Sequence, residues 1–283
     1  MKLIPPIAMQ TWAAGLKVIV SRCEICQKML ALRRLSARKA GIRMHDSWFC
    51  SSRCFRLAAE QEVVRLLKPA KRSAAYVERM PLGLDLVGHG LLTIEQLKKA
   101  TDEQKITGGE IGELLVGQGS VTEKQVTAVR ATEWACPVFT VPKQATRIGI
   151  HIPTTLMRLH FMIPVHYVVK TNLLLVGFVH SVEYELLYAI EQMTGCETKP
   201  CFVTPTEFRI QMQQYEEAQG RATDNPREIK FESLQSPTEI ARILCASGVE
   251  IEAEEAFIGR CREYLWGRLK SGVNTVDLLF KAD

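Results

Sequence analysis

The residues from Pro81 to Gln104 read PLGLDLVGHGLLTIEQLKKATDEQ, and after a five-residue spacer Glu110 to Glu133 read EIGELLVGQGSVTEKQVTAVRATE. The two phrases place Gly, Leu, Val, Thr and Gln at matching positions. An internal repeat of this kind indicates one supersecondary unit that is built twice. It therefore decides how the middle of the chain folds.

Each phrase predicts a helix, a glycine turn and a second helix. The short first helix ends at Gly90 or Gly119, because glycine readily adopts the left-handed conformation that follows a helix C-terminus. Thr93 and Thr122 are each followed three residues later by glutamine, which is the signature of a capping box at the start of the second helix. The sequence thus predicts two consecutive helix–turn–helix units.

The pattern LG-x-x-L-V-x-x-G-L-L-x-x-x-x-L-x-x-x-x-x-x-Q, written twice, resembles the MshEN domain, the N-terminal module of type II secretion and type IV pilus assembly ATPases. In that family the two motifs wrap cyclic di-GMP through apolar contacts, glycine backbone, a leading arginine and a closing glutamine. The resemblance covers residues 81–215. For the second half it implies a small α/β unit: a Pro-led helix, a hairpin, a helix ending at Gly195, a strand and a last helix.

The resemblance also implies a cyclic di-GMP cradle made from both motifs. Its candidate residues match the family pattern: Leu82, Gly83, Leu86, Val87, Gly90, Leu91, Gln104, Gly112, Leu115, Val116 and Gly119. However, Pro81 and Glu110 replace the leading arginines, and Glu133 replaces the second closing glutamine. Losing two charge-assisted contacts to a doubly anionic ligand predicts weak or absent binding. The matching positions are also those that the fold requires, so a working cradle and a bare scaffold both remain open.

A metal site is predicted by four of the nine cysteines, which form two close pairs: Cys23 and Cys26 in CEIC, and Cys50 and Cys54 in WFCSSRC. Two such pairs can provide the closed tetrahedral shell that structural zinc prefers. Because Ser51 can cap a helix continuing as FRLAAEQEVVRLLK, the block resembles a treble-clef zinc finger of the FCS/TRASH type. Four buried free thiols are the alternative interpretation. His45 is an alternative ligand to one cysteine, but a solvated hairpin histidine is favoured.

The charge of the chain is uneven. Through Met80 there are 16 Lys and Arg against 5 Asp and Glu, and the rest holds 20 against 26. The basic stretch QKMLALRRLSARKAGIR between the cysteine pairs would suit nucleic acid or an acidic protein face. It has no aromatic residues for base stacking, so a solvated helix face is favoured and nucleic acid is not the expected partner.

Other patterns exclude some functional classes. No run of about 18 uncharged apolar residues occurs, so no membrane span is predicted. Nine cysteines without a recognisable export signal indicate a cytoplasmic protein. The chain contains no G-x-x-x-x-G-K-[ST], G-x-S-x-G or H-E-x-x-H motif, and we therefore expect a protein that is not an enzyme.

The expected fold class is a multidomain α/β (α+β) protein. Its predicted segments are an irregular arm 1–22, a zinc knuckle with a helix 23–70, a linker 71–79, a tandem-motif helical subdomain 80–136, a small α/β subdomain 137–217, a linker 218–229, and a strand–helix–hairpin domain 230–283. The last segment resembles the small domain that precedes the motor in secretion ATPases.

The favoured function is a bacterial adaptor that docks on a secretion or pilus component, such as the inner-membrane platform or a separate ATPase. A cyclic di-GMP receptor and a nucleic-acid-binding regulator are the alternatives.

Overall fold

The structure is a computed structural model that describes residues 19–32, 41–68, 79–140, 150–221, 227–233, 235–272 and 274–282. The α-helices in these ranges are α1 Ser52–Leu67, α2 Leu82–Gly88, α3 Ile94–Thr107, α4 Ile111–Gly117, α5 Glu123–Glu133, α6 Thr154–Leu159, α7 Tyr184–Thr194, α8 Pro205–Arg221 and α9 Pro237–Glu250. The strands are β1 Ile19–Arg22, β2 Met29–Leu32, β3 Ile42–Met44, β4 Ser47–Phe49, β5 Met162–Val168, β6 Leu173–Phe178, β7 Glu197–Phe202, β8 Arg227–Phe231, β9 Glu255–Cys261, β10 Tyr264–Ser271 and β11 Asn274–Lys281. The predicted mixed α/β class is confirmed.

The chain divides into two compact units. The cysteine unit combines Met1–Pro69 with Asp224–Asp283, and the motif unit is Ala70–Thr223. The sequence predicted separate domains at 23–70 and 230–283, but the structure joins them in the cysteine unit.

A six-stranded sheet in the order β4-β3-β9-β10-β11-β8 organises the cysteine unit. Strand β3 pairs in parallel with β9, with Arg43 opposite Glu255 and Met44 opposite Ala256. The two predicted domains merge because β3 and β4 have only three residues each. A hairpin this short is not stable alone and gains stability by extending a larger sheet.

Helices α1 and α9 pack together and share one core with the sheet. On α1, Phe55, Ala59 and Val63 recur every four residues and are fully buried, as expected for the apolar stripe of an amphipathic helix. The Cys245 thiol on α9 donates to the Ser52 carbonyl of α1 over 3.3 Å. Cys23 and Cys54 belong to the same buried cluster, so the cysteine pairs adjoin the main core of this unit.

Three details of the cysteine unit differ from the prediction. The arm expected at 1–22 is a strand over its last four residues, since β1 pairs with β2 across the first cysteine pair; residues 1–18 lie outside the described ranges. The linker expected at 218–229 is shorter, because α8 reaches Arg221 and β8 begins at Arg227. Of the linker expected at 71–79, the structure describes only the last residue.

The C-terminal segment forms the three-stranded meander β9-β10-β11 instead of the predicted hairpin. The turn at Gly272 was predicted from its Ser-Gly sequence. The other reversal was missed because Arg262 adopts a left-handed φ of 50° at a place with none of the Gly, Asn or Asp residues that usually mark a two-residue hairpin.

In the motif unit, the doubled phrase folds as predicted. Both capping boxes are complete at Thr93 and Thr122, with the threonine side chain accepting from the backbone and the glutamine side chain accepting in return. Gly90 and Gly119 have left-handed φ values of 69° and 68°. Helices α2 to α5 enclose a small core around Leu86 and Leu115.

The rest of the motif unit has the predicted order of elements: α6, the β5–β6 hairpin, α7, β7 and α8. Strands β5 and β6 are antiparallel, β6 and β7 are parallel, and α7 ends at Gly195 with a φ of 74°. We call this part, residues 150–221, the α/β subdomain. Within the described residues, none of the helices combines the length and apolar character needed to cross a membrane.

Candidate functional site

The structure brings the four predicted metal ligands together. The Sγ atoms of Cys23, Cys26, Cys50 and Cys54 all lie within 4.8 Å of one another. Cys26 Sγ is 3.4 Å from Cys50 Sγ, which is 3.9 Å from Cys54 Sγ. This group can hold a metal ion, and its four sulfur ligands are the donor set of closed structural zinc sites.

Two local structures turn the thiols inward. In the β1–β2 turn, Cys23 N donates to Lys28 O over 3.0 Å and Gln27 takes a left-handed φ of 61°. At the other pair, Ser51 Oγ accepts from Cys54 N over 3.3 Å and caps α1, as predicted. A backbone bridge between Cys23 and Trp48 connects the turn to β4. Both pairs are thereby held by hydrogen-bonded backbone.

The thiols have opposed acidities. Burial disfavours the Cys23 thiolate, but backbone hydrogen bonds at Cys26, Cys50 and Ile25 outweigh burial and lower the pKa of Cys23 to about 6. Hydrogen bonding to the Cys26 side chain, followed by burial, raises the pKa of Cys50 to about 12. A bound divalent cation would supply the positive charge that stabilises four thiolates together.

His45 lies outside this group, so the structure does not favour it as an alternative ligand. Its Nε2 is 3.8 Å from Glu62 Oε1, and its ring packs edge-on against Phe257 with centroids 6.0 Å apart. Among the described residues, the metal-ligating group contains only the four cysteines.

Most predicted cradle residues lie within the helical core of the motif unit. Leu86 and Leu115 are fully buried, and a Cβ atom on Gly83 would lie 2.3 Å from Leu97 Cδ1. A Cβ atom on Gly112 would be less crowded, at 3.2 Å from both Leu82 Cδ2 and Val126 Cγ1. Four further positions pack partly buried against this core: Leu82, Val87, Leu91 and Val116. These residues therefore have structural roles whether or not a ligand binds.

The remaining cradle candidates organise turns. Gly90 and Gly119 close the helix–helix turns with left-handed backbone. Gln104 Nε2 donates to Gly109 O over 2.8 Å, which braces the spacer between the two motifs. The contribution of these residues to ligand binding stays a prediction.

Glu110 replaces the leading arginine of the second motif and Glu133 replaces its closing glutamine. Each of these two glutamates faces an arginine. Glu110 Oε2 is 3.0 Å from Arg130 Nη2. Glu133 Oε1 is 3.8 Å from Arg79 Nε, and the Arg79 guanidinium lies 3.4 Å from the centroid of the Trp134 ring. Sequence reasoning missed both arginines, because neither occupies a motif position that the family reserves for a cation.

Arg130 connects α5 to the segment after β6. It is 6% exposed, and its Nη1 donates to Val179 O over 2.7 Å and lies 2.8 Å from His180 Nδ1. Burial lowers the pKa of Arg130, and the neighbouring Glu110 carboxylate opposes this shift. Burial and the Arg130 charge lower the pKa of His180. A neutral His180 can therefore accept a hydrogen bond from Arg130 through Nδ1.

A cavity of about 400 Å³ lies between the second motif and the α/β subdomain, and we call it the Arg130 cavity. Its walls come from α4, α5, the Phe161 turn, the segment after β6 and the start of α8. Of the predicted cradle residues, Gly112 and Val116 line it, and no residue of the first motif does. The cavity is therefore not the two-motif cradle that the resemblance implied.

Comparisons with known proteins give matches to about half of this chain. No protein-family model matches the chain. The type IV pilus assembly ATPase PilB of Thermus thermophilus is 23% identical over 129 residues, which are 45% of this chain and 14% of PilB. The chain thus matches a small part of that relative's length.

Two solved structures give further partial matches. MshE, solved with cyclic di-GMP, is 19% identical and covers 48% of this chain and 99% of its own, with a TM-score of 0.41. The N-terminal domain of XpsE is 14% identical and covers 47% and 92%, with a TM-score of 0.38. The similarity predicted from the doubled motif thus includes a type IV pilus assembly ATPase.

Proposed function

We propose that this chain is a non-enzymatic adaptor that docks on a component of a secretion or pilus machine and is stabilised by a structural zinc ion. The observation that carries the proposal is the doubled motif, which folds into two capped helix pairs beside an α/β subdomain. The similarity to PilB supports it. Four clustered thiols that leave no open coordination position favour a structural metal over a catalytic one.

The docking role can be tested by affinity purification from the native host with mass spectrometry. We expect a secretion or pilus protein with the wild type and none with Gly112→Val, because the added side chain would meet Leu82 and Val126 within the helical core. Glu239→Gln in the cysteine unit is the matched control and should retain the partner. Recovery of nucleic acid without a protein of such a machine would instead support the regulator alternative.

The metal content provides a second prediction. We expect one zinc ion per chain in the purified protein and none in Cys50→Ser/Cys54→Ser, since two thiolates cannot complete the tetrahedral shell. Elemental analysis by mass spectrometry measures this directly. Cys136→Ser, which alters a thiol of the motif unit outside the cluster, should leave the zinc content unchanged. Zinc-free wild type with four titratable thiols at the cluster would contradict the proposal.

Cyclic di-GMP binding is a second candidate function, because both motifs keep their glycine turns and apolar positions. We expect weak binding: each missing charge-assisted contact costs about 1.5–3 kcal/mol, so two reduce affinity by roughly two to four orders of magnitude. Calorimetry with the dinucleotide measures this. Micromolar or tighter binding by the wild type would show that the apolar and glycine contacts suffice.

Introducing arginine at Pro81 and at Glu110, where the family has its leading arginines, has different structural consequences at the two positions. Pro81→Arg adds a cation without disturbing a partner, whereas Glu110→Arg would place a second guanidinium beside the buried Arg130. Exchanging the two residues is unsuitable, because Arg130 also donates to Val179 O and a glutamate there could not. The better variant is Pro81→Arg alone, which we expect to bind the dinucleotide more tightly than the wild type and than Pro81→Arg/Glu110→Arg.

A further inference from the structure

The four thiols of the cysteine group differ in their access to solvent. Cys26 is exposed and Cys50 is half-buried. Cys23 and Cys54 are buried, at 0% and 7% exposure. A small reagent dissolved in water therefore meets Cys26 first, although all four side chains have the same chemistry.

Cys50 is the neighbour that can react with Cys26. Their Sγ atoms are 3.4 Å apart, whereas Cys50 Sγ is 3.9 Å from Cys54 Sγ. Cys26 lies in the turn between β1 and β2, and Cys50 directly precedes the Ser51 cap of α1. The two sulfur atoms are thus brought together from separate segments of backbone, and only a small shift is needed for them to bond.

Metal binding keeps these thiols in their reactive form. A cysteine that ligates a metal is a thiolate, and susceptibility to oxidation follows thiolate character and exposure. Cysteines that sense oxidants are often placed next to a second cysteine that completes a disulfide. In this group Cys26 has the exposure and Cys50 is the adjacent second thiol.

We propose that Cys26 and Cys50 form an oxidative modification site at which a peroxide converts the two thiolates into a disulfide. The proposal rests on the zinc site of the proposed function, because ligation is what holds both sulfur atoms as thiolates. The oxidant is a small hydroperoxide, for which hydrogen peroxide is the simplest probe.

The reaction takes two steps. The Cys26 thiolate attacks the peroxide, so an S–O bond forms, the O–O bond breaks and hydroxide leaves, which makes Cys26 a sulfenic acid. The Cys50 thiolate then attacks this sulfur, the S–S bond forms, and the S–O bond breaks with loss of a second hydroxide. The sulfur pair loses two electrons to the peroxide, and two protons from water neutralise the hydroxides.

Oxidation at this exposed turn is coupled to the core of the cysteine unit. Cys23 and Cys54 alone cannot complete a tetrahedral shell, so the oxidised chain loses its metal ion. Cys54 lies on α1 and belongs to the buried cluster that α1 shares with α9 and the sheet. Exchange with a reducing thiol cleaves the disulfide and restores all four ligands.

Hydrogen peroxide added to the zinc-loaded full chain tests this proposal. We expect zinc release, followed with a chromogenic chelator, a Cys26–Cys50 disulfide in the peptide map, and recovery of zinc binding after dithiothreitol. Cys26→His keeps a zinc-binding set of three cysteines and one histidine, but should release zinc at least about tenfold more slowly. Cys245→Ser is the matched control: it removes a half-buried thiol of the same unit outside the group and should release zinc at the wild-type rate.

Further outcomes separate this site from the zinc proposal. If Cys26→His does not bind zinc, Cys50→His replaces it, because this variant keeps Cys26 and should stop at the sulfenic acid, which dimedone traps. Zinc release from Cys26→His at the wild-type rate would overturn the proposal, as would a disulfide that joins Cys26 to Cys23.

The wild type itself distinguishes the two proposals. Zinc that stays bound in peroxide would refute the modification site and leave the structural zinc ion standing. A wild type purified without zinc would instead contradict the metal. In that case a Cys26–Cys50 disulfide formed by peroxide would still support the site, and its absence would overturn it.

Discussion

Removing the metal from the cysteine group is expected to unfold the C-terminal sheet together with the knuckle. Strand β9 pairs with β3, and Cys54 and Phe55 share one buried cluster with residues of α9 and the sheet. Structural zinc sites contribute about 10–16 kcal/mol in small peptides, which is comparable with the whole stability of a typical domain, about 5–15 kcal/mol. Metal loss should therefore destabilise the entire cysteine unit.

Hydrogen exchange with mass spectrometry measures this effect peptide by peptide. After chelation, the amides of α1 and of residues 255–281 should lose protection, while those of α7 in the motif unit stay protected. Adding zinc back should restore protection, and Cys50→Ser/Cys54→Ser should reproduce the loss without a chelator. The two predicted domains would be independent after all if residues 255–281 stayed protected while α1 exchanged.

Replacing Asp277 is expected to cause a large loss of stability. Asp277 is fully buried, and its Oδ1 accepts from Trp266 Nε1 and Arg268 Nε, each over 2.7 Å. Its Oδ2 accepts from Arg268 Nη2 over 3.0 Å, and Arg268 is 3% exposed. Asp277→Ala leaves a buried guanidinium without its carboxylate, which typically costs about 3–5 kcal/mol.

Chemical denaturation of the full chain followed by tryptophan fluorescence measures this loss, with Trp48 and Trp266 in the cysteine unit and Trp134 in the motif unit. Glu239→Gln is the matched control, because its pair with Arg242 joins two exposed side chains and is worth well under about 1 kcal/mol. Arg268→Met/Asp277→Leu removes both charges and should recover much of the stability. A loss below about 1 kcal/mol in Asp277→Ala would show that the pair is not important for folding.

The elements predicted most accurately are those formed by neighbouring residues. Each capping box joins a threonine to a glutamine three residues away, and each glycine turn lies one or two residues beyond its helix. Ser51 caps α1 in the same way. Such contacts depend on a few consecutive residues, so the doubled phrase is readable without a tertiary structure. The β9–β10 turn was missed because Arg262 carries no local signal for its conformation.

Of the two candidate sites, the metal group could be predicted from local sequence and the Arg130 cavity could not. The two close cysteine spacings indicated one metal group, and the structure places all four sulfur atoms together. The Arg130 cavity could not be anticipated, because its walls include Val126 from the second motif, Phe161 from the α6–β5 turn and Phe208 from α8. Nothing in the local sequence of any one wall indicates that the others face it.

The sequence by itself determined the helix pairs, their caps and the cysteine pairs, because each depends on residues within a few positions of one another. The tertiary structure decided that β3 joins β9, since a three-residue strand gains stability only by pairing with an edge formed much later in the chain. It also decided that Glu110 faces Arg130 across 20 residues. The Arg130 guanidinium is buried next to the Glu110 carboxylate only because whole helices pack in a particular way. That packing cannot be inferred from composition or from the spacing of residues in the sequence.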